Sequence, residues 1–111
     1  MVVAQLRRSP LGRLAGHMKK HKADLLYRLC DEILLYCWDP IGVSGVPEAR
    51  DEYRSYLPKV FQLVLADHAE EALTQYLISV ERDSIGLTPN RERAEHIAQM
   101  LVNHREWVEA S

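Results

Sequence analysis

Lys22-Ala23-Asp24-Leu25-Leu26-Tyr27-Arg28-Leu29-Cys30-Asp31-Glu32-Ile33-Leu34-Leu35-Tyr36-Cys37-Trp38-Asp39-Pro40 decides the fold. Leu25, Leu26, Leu29, Cys30, Ile33, Leu34 and Cys37 recur at i, i+3, i+4 and i+7, the spacing of one apolar helix face. Asp24, Arg28, Asp31 and Glu32 take the opposite side. Pro40 pushes Asp39 out of helical geometry, so the first helix is expected from about Lys22 to Trp38.

The same period recurs three times downstream. Tyr53, Tyr56, Leu57, Val60, Phe61 and Val64 predict a second helix over about 48–66, broken near Pro58 into a short turn and a main helix. Ser55 is the expected cap of that main helix, with Pro58 in its first turn. Ala69, Ala72, Leu73, Tyr76, Leu77 and Val80 predict a third helix over about 68–85. Asp67 and Glu70 resemble its capping box, and Gly86 followed by Leu87 is its stop signal. Thr88-Pro89 starts a fourth helix, whose stripe is Ala94, Ile97, Ala98, Leu101, Val102 and Val108. No period-2 run is bounded by turns, so no sheet is expected. The fold class is all-α: one four-helix bundle-like domain over 18–111, orthogonal or up-down, with a long loop after the first helix.

A chain of 111 residues, 47% apolar and 27% charged, has the balance of one soluble globular domain. No apolar run approaches the ~18 residues of a membrane span, so no membrane partner is expected. The net charge of −2 hides a split. Residues 1–22 carry Arg7, Arg8, Arg13, Lys19, Lys20 and Lys22 and no acid, whereas the remainder carries 8 basic and 16 acidic residues. Residues 1–17, with Pro10, Gly12 and Gly16, read as a disordered basic arm or leader, faintly like a transit peptide. A folded nucleic-acid binder should carry a basic stripe on its body, so nucleic acid is an unlikely partner, reachable only through the arm. An acidic body fits a basic protein partner better.

The chain carries few signatures of known chemistry. There is no GxGxxG, no Walker-type loop, no CxxC and no HExxH. His17 and His21 are flanked by lysines, and His68, His96 and His104 are scattered, so no metal and no cofactor is expected. Adjacent acids such as Asp31/Glu32, Asp51/Glu52 and Glu70/Glu71 diverge by about 100° on a helix and do not form a shared-proton dyad. Cys30 and Cys37, too far apart along a helix to bridge, read as small buried hydrophobes of a reducing, cytoplasmic setting.

Unusual residues cluster from Trp38 to Tyr56. Trp38-Asp39-Pro40-Ile41-Gly42-Val43 is a turn in which Trp38 plugs the bundle end and its indole N–H seeks a partner. Ile41, Val43 and Val46 suit a loop folded onto the bundle. The structural reading is a packed cap. The functional reading makes Trp38, Asp39, Arg50, Asp51, Glu52, Tyr53 and Tyr56 an aromatic and charged partner-binding patch, since Trp, Tyr and Arg dominate binding hot spots. At the far end, Trp107-Val108 serves either internal packing or a homodimer contact.

The stretch 38–43, with Pro47-Glu48-Ala49-Arg50-Asp51-Glu52-Tyr53, Ser55-Tyr56-Leu57-Pro58 and Ile85-Gly86-Leu87, resembles a family of small bacterial helical proteins of unknown function, over about residues 22–105. Proteins of this look include immunity proteins of bacterial toxin systems. The resemblance implies a bacterial, non-enzymatic binder of a protein partner such as a toxin, and it assigns no catalytic residue. The alternatives are a small enzyme or ligand binder using the Trp38-Asp39 loop, or a nucleic-acid accessory protein acting through the arm.

Overall fold

A computed structural model describes residues 18–40 and 50–111, apart from the side chains of residues 50 and 52. The expectations for the arm, for the loop from Ile41 to Val46 and for the side chains of Arg50 and Glu52 fall outside the described residues. Among the described residues the elements are all helical. They are α1 (Lys20–Glu32), a π-helical continuation (Ile33–Trp38), α2 (Arg50–Arg54), α3 (Leu57–Val64), α4 (Ala69–Ser79), a second π-helical continuation (Val80–Ile85) and α5 (Arg91–Ala110). None is long and apolar enough to cross a membrane.

Side-chain bonds between distant elements establish an up-down bundle. Lys22 at the start of α1 donates to the main-chain oxygens of Glu109 (3.4 Å) and Ser111 (2.5 Å) at the end of α5. Trp38, at the other end of the first helix, is hydrogen-bonded to Glu81 after α4. Glu81 in turn pairs with Arg93 at the start of α5. Arg105, late in α5, donates to the carbonyl of Val64 at the end of α3 (3.0 Å). The four main helices therefore alternate in direction, with Trp38 and Glu81 at one end and Lys22 and Arg105 at the other.

The core follows the predicted stripes. Leu26, Cys30, Val60, Val64, Leu65, Leu73, Leu77, Ala94, Ala98, Leu101 and Val108 are completely buried. Each large aliphatic side chain there contributes about 1.5–3 kcal/mol by leaving water. Thr74 is buried too, and its hydroxyl donates to the Glu70 carbonyl at 2.8 Å, so its burial leaves no unmet donor.

Several local signals act one or two residues from where they are expected. The second helical region does break before Pro58, but Tyr56 rather than Ser55 is the N-cap. Its main-chain N–H is already tied to the Tyr53 carbonyl (3.0 Å), which carries α2 directly into α3. His68, in a left-handed conformation (φ 56°), is the N-cap of α4, and its own side chain makes no cap bond. Asn90, not Thr88, caps α5: its side chain accepts from the Arg93 N–H at 2.9 Å. Gly86 is left-handed as expected (φ 83°), and the Leu87 N–H closes the turn on the Glu81 carbonyl at 2.7 Å.

The first helix departs most from its period. From Ile33 onward the bonds widen from i→i+4 to i→i+5, as in Asp39 N–H to Leu34 O (3.0 Å). A wider turn advances each residue through a smaller angle. Leu34, Leu35 and Trp38 therefore face inward, while Tyr36 and Cys37 are exposed. Cys37 is not the buried hydrophobe that a 3.6-residue period makes it, and only Cys30 fits that description.

Candidate functional site

Trp38 sits at the bundle end it was expected to plug, 1% exposed. Its indole N–H donates to Glu81 Oε2 at 2.7 Å. Glu81 is a carboxylate with no exposed surface at all. Its Oε1 accepts the Asn90 main-chain N–H at 3.0 Å, and Oε2 also accepts from Arg93 Nη2 at 3.1 Å. A buried carboxylate is tolerated only when it is paired and hydrogen-bonded. Here one guanidinium and two N–H groups do that, drawn from the end of the first helix and the start of α5. Glu81 thereby fastens the end of the first helix, the end of α4 and the start of α5 at one point.

An aromatic cluster covers this node. The Trp38 ring lies 5.5 Å from that of Tyr53, tilted by 50°, and 6.3 Å from that of Tyr56, nearly perpendicular at 84°. Both separations fall in the favourable range for ring pairs. Tyr53 is 1% exposed, and its hydroxyl donates to Asp39 Oδ1 at 2.7 Å. Asp39 has φ +28°, a conformation L-residues rarely adopt. The Tyr53 bond stabilises that turn, at the point where Pro40 prevents the helix from continuing.

The structure divides the predicted patch. Trp38 and Tyr53 are inside, Asp39 and Tyr56 are half-buried, and Asp51 is exposed. α2, which carries Asp51, packs against the Ile33–Trp38 segment. That segment turns Tyr36 outward, 59% exposed. Beside it, Arg54 Nη2 reaches Asp31 Oδ2 at 3.4 Å across the α1–α2 boundary.

Sequence reasoning missed Glu81, Asn90 and Arg93. A signal for the first was present: Glu81 lies four residues after Leu77 and eight after Leu73, both on the buried stripe. A charge in that register is either buried or a sign that the helix unwinds. Both are true here, since Glu81 lies in the Val80–Ile85 π-helical segment. Single π-helical turns within α-helices are frequent at functional sites.

Burial, reinforced by the nearby Asp31 carboxylate, pushes the Cys30 thiol up to about 12, so it stays a protonated core residue. No three His, Cys, Asp or Glu side chains converge among the described residues. A second concave region lies far from the node. It is a cleft of about 450 Å³ lined by Leu29 of α1 and Asn103, His104 and Trp107 of α5. Trp107 is 63% exposed there, while its neighbour Val108 is fully buried, so the Trp107-Val108 pair is divided between surface and core. No family model, curated protein or solved structure matches this chain.

Proposed function

We propose that this chain is a non-enzymatic protein-interaction module, an immunity- or antitoxin-like binder that neutralises a toxin partner through an acidic, aromatic surface. One observation carries the reading. Asp51 and Tyr36 are exposed on two elements, α2 and the Ile33–Trp38 segment, that the buried Trp38–Tyr53 contact holds together. Rigid presentation of an aromatic and an acidic group lowers the ordering cost of binding. The net −8 of residues 23–111 complements a basic partner and favours fast, salt-sensitive association. The toxin class of partner rests on the resemblance of the W-D-P-I-G-V and D-E-Y segments alone. Trp38 and Glu81 are already engaged with each other, which favours the interaction reading over a small-molecule site built on Trp38.

The test is affinity capture from the host lysate with the full chain as bait, at two salt concentrations. The expected result is one stoichiometric basic protein, retained at low salt and lost with Asp51→Lys and with Tyr36→Ala while both variants keep native near-ultraviolet circular dichroism. Capture of nothing, or of a protein indifferent to both substitutions, overturns the proposal.

A further inference from the structure

The Trp107 cleft lies along the α1–α5 groove, between the Lys22 end of the bundle and its middle, and its chemistry is unlike that of the patch around Asp51. Its floor is the side chain of Leu29, half-buried against the core. Asn103 and Trp107 are four residues apart on α5, so they project from one face, with His104 beside them. The volume of about 450 Å³ lies within the range of small-molecule sites.

His104 defines the polarity of the cleft. Its Nδ1 lies 2.7 Å from the Met100 carbonyl oxygen, one turn back on α5. A carbonyl only accepts, so Nδ1 carries the proton. In the neutral imidazole the other nitrogen, Nε2, then holds a lone pair and can only accept. Among the described residues, no group donates to Nε2. The Asn103 side chain adds an amide with both a donor and an acceptor. The cleft thus offers an aromatic wall, an aliphatic floor, one fixed acceptor and one amide.

We propose that this cleft is a binding site for a small planar heteroaromatic ring that presents an N–H or O–H donor. The ring stacks on Trp107 over Leu29, and its donor is received by His104 Nε2. An aliphatic ligand forfeits the stacking, and an aromatic ligand without a donor leaves His104 Nε2 desolvated and unpaired. The site is independent of the Asp51 surface, so either proposal can fail without the other.

Indole and 1-methylindole are the probes, because they match in shape and differ in the N–H. Proton–nitrogen correlation spectra of the full-length protein give two indole side-chain signals, assigned by Trp107→Phe. The Trp38 signal, bonded to Glu81, reports that each variant remains folded. Indole is expected to shift the Trp107 Nε1–H and Asn103 side-chain amide signals saturably while the Trp38 signal stays in place. 1-Methylindole is expected to bind about tenfold more weakly, the effect of leaving one buried acceptor unpaired. His104→Ala should bring indole down to the level of 1-methylindole, and Trp107→Ala should abolish both. Non-saturable shifts up to the solubility limit, equal binding of the two probes, or unchanged discrimination in His104→Ala each overturn the proposal.

Discussion

The two tryptophans of this chain occupy opposite situations. Trp38 is sealed at one end of the bundle, with its N–H given to a buried carboxylate and its ring held between two tyrosines. Trp107 lies open near the other end, beside a cleft and above a core to which its neighbour Val108 belongs. Both follow an amphipathic stripe, and their different fates come from what faces each one across the bundle. Trp38 meets Glu81, whose burial is tolerable only with donors around it. Trp107 meets Leu29, a side chain that asks for no polar partner. The first end is therefore built for uniqueness of packing, and the second retains a surface able to accept a ligand.

Removing the acceptor at the sealed end should break the contrast most strongly. Glu81→Ala leaves the Trp38 and Asn90 N–H groups and the Arg93 guanidinium without their common partner. Loss of one member of a buried, charge-assisted network costs about 3–5 kcal/mol. Urea unfolding should show that loss as a lower midpoint, with the Trp38 emission shifting toward the exposed value. A loss under about 1 kcal/mol would mean that the node is not what holds the three elements together.

Alkaline pH tests the same core by a different route. The Cys30 thiol ionises in the unfolded chain at its ordinary value near 9 but in the folded chain only at about 12. Between these values the folded state holds the extra proton, so stability falls as pH rises, by up to about 1.4 kcal/mol per pH unit. Below about pH 9 this contribution is flat. Unfolding free energies measured across that window should lose this component of their slope in Cys30→Ala. Thiol labelling at neutral pH should modify Cys37 and leave Cys30 untouched until the protein unfolds.

A finer probe of the sealed end is Tyr53→Phe, which deletes only the hydroxyl that donates to Asp39. The expected cost is about 1 kcal/mol, one net hydrogen bond. Asp39→Gly should recover part of any loss by relieving the left-handed backbone. At the open end, Trp107→Ala should change stability by no more than about 0.5 kcal/mol, as for an exposed side chain outside the core. A loss comparable to that of Glu81→Ala would erase the distinction between the two tryptophans and assign Trp107 to the core.

Much of the architecture was legible in the chain itself. The four amphipathic stripes, the break before Pro58 and the left-handed Gly86 follow from local rules, because periodicity, ring closure and the absence of a Cβ act within a few residues. Cap positions were less legible. Ser55, Asp67 and Thr88 are all competent caps, yet Tyr56, His68 and Asn90 hold those places, because tertiary packing sets where each helix begins. Of the candidate patch, the sequence grouped one segment without separating its buried members, Trp38 and Tyr53, from its exposed Asp51. The Trp107 cleft was invisible as a site, since it needs Leu29 and His104 side by side across 75 residues of chain.

The sequence by itself determined that the protein is helical, how many long helices it has and which stripe of each is apolar. These properties depend on contacts between near neighbours and on the transfer of apolar surface out of water. Only the tertiary structure decided the alternating direction of the helices, the outward turn of Cys37 and the pairing of Trp38 with Glu81 across 43 positions. A buried carboxylate must find its donors wherever the fold can bring them, and here the carboxylate and its indole donor each lie in a π-helical turn.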